Sequence, residues 1–93
     1  MDPPSYGRGP SGETWKLEEN IFEFVSLCSQ LLSDEPLFFI LNSYTTGLSP
    51  SVMSYILNTA IKAKSNVSAD EIGLPVESTG LTLPCGSTAI AQF

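Results

Sequence analysis

Apolar residues recur every three or four positions from Leu17, through Ile21, Val25 and Cys28, to Leu32, with Phe24 and Leu31 widening the stripe. That spacing predicts an amphipathic helix over residues 17–33. Glu18 and Glu19 fall in its first turn, where carboxylates complement the helix dipole, and Ser33-Asp34-Glu35-Pro36 ends it. The pattern then changes. Leu37-Phe38-Phe39-Ile40-Leu41 is an unbroken apolar run, read as a strand over 37–42 buried on both faces, which is the habit of a parallel sheet. A polar loop, Asn42 to Leu48, leaves its carboxyl end.

A second helix is predicted over 50–64. Ser49 suits the N-cap and Pro50 the first helical position, where its missing N–H costs nothing. Val52, Met53, Ile56, Leu57, Ala60 and Ile61 keep the helical period, and Lys62 and Lys64 fall in the expected last turn. Residues 69–93 read as a hairpin and tail. Ala69–Val76 and Gly80–Cys85 alternate as short strands around a Glu77-Ser78-Thr79-Gly80 turn, and Pro75 and Pro84 confine them to edges. Residues 1–16 begin with a tract dense in Pro and Gly, which predicts a loop without structure of its own; a loop that long is usually functional or disordered.

Composition narrows the chemistry. Ten acidic residues face four basic ones, Arg8, Lys16, Lys62 and Lys64, for a net charge of −6. The chain therefore lacks the basic patch by which a free-standing nucleic-acid binder gains most of its affinity. With no histidine, His-based acid–base catalysis, catalytic triads and most zinc sites are excluded, and no metal site is expected. Cys28, inside an apolar helical pattern, reads as a small buried hydrophobe. No signal peptide opens the chain and no apolar run is long enough for a membrane span, so no membrane association and a cytoplasmic location are the expectations.

The order loop, helix, strand, loop, helix, antiparallel pair implies an α/β fold. One central strand is too little sheet for two strongly apolar helices. A further strand is expected to precede Asp2, with Met1 as its last residue.

Asp2-Pro3-Pro4-Ser5-Tyr6-Gly7-Arg8-Gly9, followed by Trp15-Lys16-Leu17-Glu18-Glu19, resembles class I S-adenosylmethionine-dependent methyltransferases that act largely on RNA. In that family an Asp-Pro-Pro-x-aromatic motif follows the fourth strand of a Rossmann-like sheet. A helix, the fifth strand, a helix and a reversed hairpin then follow, the order predicted from this chain. The resemblance implies a partial Rossmann-like methyltransferase fold: the C-terminal half of a catalytic domain, to be completed by a missing N-terminal half.

What the resemblance implies for the site has a physical logic, since ligands of open α/β sheets bind beyond the carboxyl ends of the strands. Asp2, Pro3, Pro4 and Tyr6 would be catalytic: a carboxylate and backbone carbonyls accept from an exocyclic amine, and Tyr6 offers a stacking face for a base. Asp2 and Pro3 would also border the cofactor, S-adenosylmethionine, while Ser5, Tyr6, Arg8, Asn42 and Ser43 would contact the substrate, an RNA base or ribose. The glycine-rich cofactor loop and the acidic residue that holds the cofactor's ribose do not occur in this chain, so the fragment alone is expected to be inactive. The loop after the 37–42 strand has no Cys, which disfavours covalent attack on a base carbon; Cys85 reads as packing, and transfer to a nitrogen or oxygen is expected. The alternative is a small acidic protein-interaction module without catalytic activity.

Overall fold

The computed structural model describes residues 1–93. Seven elements run in chain order: β1 (Tyr6–Arg8), β2 (Thr14–Lys16), α1 (Leu17–Ser29), β3 (Phe38–Ser43), α2 (Pro50–Ala60), β4 (Asn66–Val76) and β5 (Leu81–Gln92). β1 and β2 form a small hairpin of their own, and the other strands form one sheet in the order β3-β5-β4.

The helices follow the sequence pattern and end sooner than it predicted. Leu17, Ile21 and Val25 are the buried stripe of α1, while Leu31, expected on the stripe, is exposed. Gln30, Leu31 and Leu32 donate to carbonyls three residues earlier, a tightening that closes the helix short of residue 33. In α2, Ser49 Oγ accepts from the Val52 N–H, as its N-cap position predicted. The helix stops at Ala60 because Ile61 turns to extended backbone, leaving its side chain in the core. Lys62 and Lys64 consequently lie past the helix and have no place in its last turn.

Both helices lie on one face of the sheet. Leu41 of β3 and Ala89 and Ala91 of β5 join the buried residues of α1 and α2 in a single core. The two alanines matter because small side chains let α2 sit close on the central strand.

Three expectations change. No strand of the main sheet pairs in parallel with another; β5 runs antiparallel to both neighbours, because the hairpin folds it back between β3 and β4. β5 also continues through Gly86 to Gln92, a stretch whose small polar and alanine residues carry little apolar signal. Finally, the N-terminal segment is not a bare loop: β1 and β2 pair with Gly7 opposite Trp15. The predicted Glu77–Gly80 turn is present, with Gly80 at φ +69°, a conformation that favours glycine. Pro75 and Pro84 both fall in the two-stranded arm beyond the end of β3, where the lost donors break no ladder to it.

At the free edge of β3, Met1 donates its amino group to the Ile40 carbonyl and accepts from the Asn42 N–H. Bonds to the residues on either side of Leu41 are the signature of parallel pairing; an antiparallel partner would exchange both bonds with one residue. Met1 is thus aligned parallel to β3 and beside Leu41.

Candidate functional site

The parallel alignment of Met1 sets where the motif begins. Asp2 and Pro3 follow directly on Met1, toward the carboxyl end of β3. Side chains alternate along a strand, so Asn42 belongs to the face that no helix covers and Ser43 to the helix face. Pro3 and Ser43 are buried; Asp2 is exposed and Asn42 half-buried. Asn42 and Ser43, expected to line one pocket, therefore serve opposite sides of the sheet. Ser43 Oγ accepts from the Thr45 N–H at 3.1 Å and so starts the turn after β3.

The backbone carbonyls of the motif divide in the same way. Trp15 Nε1 donates to the Pro4 carbonyl at 2.7 Å, and the Leu17 N–H donates to the Ser5 carbonyl at 3.0 Å. Pro4 was expected to offer its carbonyl to a ligand; the indole already holds it. The Asp2 and Pro3 carbonyls make no bond within the chain and, with the Asp2 carboxylate, are acceptors still available.

Trp15 is itself held, edge-on to Phe24 of α1 with ring centroids 5.3 Å apart. The β1–β2 hairpin is thereby fastened to α1 at one end and to Pro4 at the other. Tyr6, on β1, is half-exposed, and its hydroxyl accepts from Arg8 Nε at 2.9 Å. Arg8 thus steadies the Tyr6 ring and keeps further donors for another group. Ser5 Oγ accepts from Thr45 Oγ1 at 2.7 Å, which ties the motif to the loop after β3.

Sequence reasoning missed Trp15, Thr45 and the hairpin. A Trp two residues before a helix, opposite a glycine, was the available signal for the first. No group of His, Cys, Asp or Glu side chains is placed to hold a metal ion. Both cysteines are free: Cys28 is half-buried in α1, and Cys85 is exposed, not packed as expected, with its thiol directed to the Ile72 carbonyl at 3.4 Å. No helix is long and apolar enough to cross a membrane.

No family model matches the sequence, and no curated protein matches it. Among solved structures, the crystal structure of a SAM-dependent methyltransferase from Agrobacterium tumefaciens superposes with a TM-score of 0.84 over 98% of this chain, at 24% identity. The chain spans 31% of the length of that protein. The likeness establishes the architecture: α/β, as the order of elements implied, and partial Rossmann-like, as the resemblance implied.

Proposed function

We propose that this chain supplies the substrate-facing part of an S-adenosylmethionine-dependent methyltransferase whose cofactor-binding half lies outside these residues. The observation that carries the reading is the parallel alignment of Met1 on β3, which delivers Asp2-Pro3 to the carboxyl edge of a methyltransferase-like sheet. The missing half of the domain would extend the free edge of β3 with parallel strands and cover the second face, where Phe38 is 59% exposed and Ile40 and Ile90 are half-buried.

The acceptors that remain free fit an amine or hydroxyl substrate. The Asp2 carboxylate and the Pro3 carbonyl would accept N–H or O–H donors of the target group, fixing its lone pair in line for transfer. Tyr6, steadied by Arg8, would stack on the base, and Ser5 and Asn42 would border it. S-adenosylmethionine, when bound, supplies an electrophilic methyl on a sulfonium; Asp2 and Pro3 are the residues of this chain that would border it. An RNA base or ribose is the substrate class favoured, with transfer to nitrogen or oxygen.

The test starts from the encoding DNA in frame upstream of Met1. A frame that encodes an apolar strand and, further up, a strand, glycine-rich loop and helix gives a longer protein that should bind S-adenosylmethionine, whereas the 93-residue chain should not. In that protein Asp2→Ala should lower methyl transfer by about 100-fold or more with the fold intact. Wild-type turnover by the variant would remove Asp2 from this role. A stop codon immediately upstream would instead favour the acidic interaction module, for which the uncovered apolar face would be the contact surface.

A further inference from the structure

β4 and β5 run on past the end of β3 as a two-stranded arm: the β3 ladder stops at Ser43 opposite Ser87, whereas the β4–β5 ladder continues from Ile72 to Val76. Leu74 pairs with Leu83 and Val76 with Leu81, and strand alternation puts these four side chains on one face of the arm. Gly73, Pro75, Thr82 and Pro84 take the other face, where the Thr82 methyl fills the space above Gly73. Leu74, Leu81 and Leu83 are 59%, 68% and 58% exposed, so no other element of the chain covers them.

A two-stranded hairpin is marginal in water and gains stability when a helix or a third strand is added to it. A third strand is disfavoured here, because Pro75 on one strand and Pro84 on the other lack the N–H that an added edge strand would use. What the arm presents is its apolar face. Charge of one sign frames that face: Asp70 precedes it on β4, Glu77 follows it at the turn, and no Lys or Arg occurs from residue 65 to residue 93. The spacing of Asp70 and Glu77 along the chain sets the two carboxylates about 23 Å apart, the length of a helix of about 15 residues.

From these groups we infer that the arm docks a basic amphipathic helix of a partner protein. The helix lays its apolar stripe on Leu74, Val76, Leu81 and Leu83, and its lysines or arginines meet the carboxylates at the two ends. A second copy of the chain fits worse, because two arms packed face to face about a two-fold axis bring Glu77 of one beside Asp70 of the other. A nucleic acid fits worse still, since its phosphates would meet carboxylates. The arm lies past the three-stranded part of the sheet and needs neither Asp2 nor a cofactor, so the inference stands or falls separately from the proposed methyl transfer.

The experiment is titration of the 93-residue chain with two synthetic helices, followed by ¹⁵N–¹H spectra. Both peptides have about 15 residues with leucines at helical spacing; one carries lysines at its ends and the other glutamates. The lysine peptide should shift the amides of Leu74, Val76, Leu81 and Leu83, and bind about tenfold or more tightly than the glutamate peptide. Asp70→Lys combined with Glu77→Lys should reverse that preference. Leu83→Asp should abolish binding of the lysine peptide and, because Leu83 lies outside the core, keep the urea midpoint of the parent chain. Equal binding of the two peptides, or no binding of the lysine peptide at millimolar concentration, would overturn the inference. So would shifts confined to Phe38, Ile40 and Ile90, or arm amides that broaden with concentration in the chain alone, which is the signature of a second copy.

Discussion

Thr45 donates its hydroxyl to Ser5 Oγ at 2.7 Å, joining two loops that are forty residues apart in sequence. Ser43 Oγ accepts from the Thr45 N–H, so one residue is held by β3 and in turn holds the motif. The motif is therefore fastened at three points: Met1 on the edge of β3, Ser5 on Thr45, and Pro4 on Trp15. A segment rich in proline, with few ladder bonds of its own, gains a defined path from these contacts.

Thr45→Val keeps the shape of the side chain and deletes the donor. Because the bond is exposed to solvent, the expected loss of global stability is small, about 0.5 kcal/mol. The local effect should be larger, with amide shifts in ¹⁵N–¹H spectra around Ser5–Tyr6 and Tyr44–Gly47. Unchanged shifts around Ser5 would mean that the motif is positioned without Thr45.

Trp15→Phe tests the second fastening. A phenyl ring can still meet Phe24, but the Pro4 carbonyl loses its donor. A loss of about 1 kcal/mol is expected, read as a lower urea midpoint at constant m-value. A change in m-value instead would indicate that the hairpin had detached and the folded state had become less compact.

These contacts explain which parts of the chain were legible. Helix faces were, since Ile21, Val25, Met53 and Leu57 report burial by period alone, and Ser49-Pro50 marked a helix start that the cap bond matches. Helix ends were not. Whether Ile61 continues a helix or turns into the core depends on where β4 must begin, which no local signal carries. The unbroken apolar run at β3 implied a strand buried on both faces in a parallel sheet; its strand partner β5 is antiparallel, Phe38 is exposed, and only Met1 aligns parallel to it. β5 was half-missed because Ser87, Ala89 and Ala91 are small: their burial comes from the helix above them and not from their own hydrophobicity. With that half of the strand unread, the pairing of Ser87 with both Ser43 and Glu71 could not be foreseen, since it exists only through the register of three strands.

The two free cysteines should separate cleanly in reactivity. Cys85 is exposed on the two-stranded arm, whereas Cys28 is half-buried in α1. Iodoacetamide followed by intact-mass measurement should modify Cys85 first, with Cys28 following at a rate set by opening of α1. The Cys85→Ser variant should then show only the slow phase. Equal rates at both sites would mean that α1 is loosely docked in solution.

The sharpest test of the packing lies under α2. Ala89 and Ala91 have no exposed surface, and they share the core with Leu57 and Met53 of the helix above. Deleting volume there, as in Leu57→Ala, should cost about 2–5 kcal/mol, because both lost transfer energy and a residual cavity contribute. Adding volume should also be costly. Ala89→Leu adds carbons where β5 lies between β3 and β4, so the strand cannot move away without breaking two ladders. The helix must therefore lift, at a cost of about 1–3 kcal/mol. Urea unfolding gives the stability loss, and the amide of Gly47 reports the displacement. If Ala89→Leu proved neutral, α2 would not be seated on the central strand.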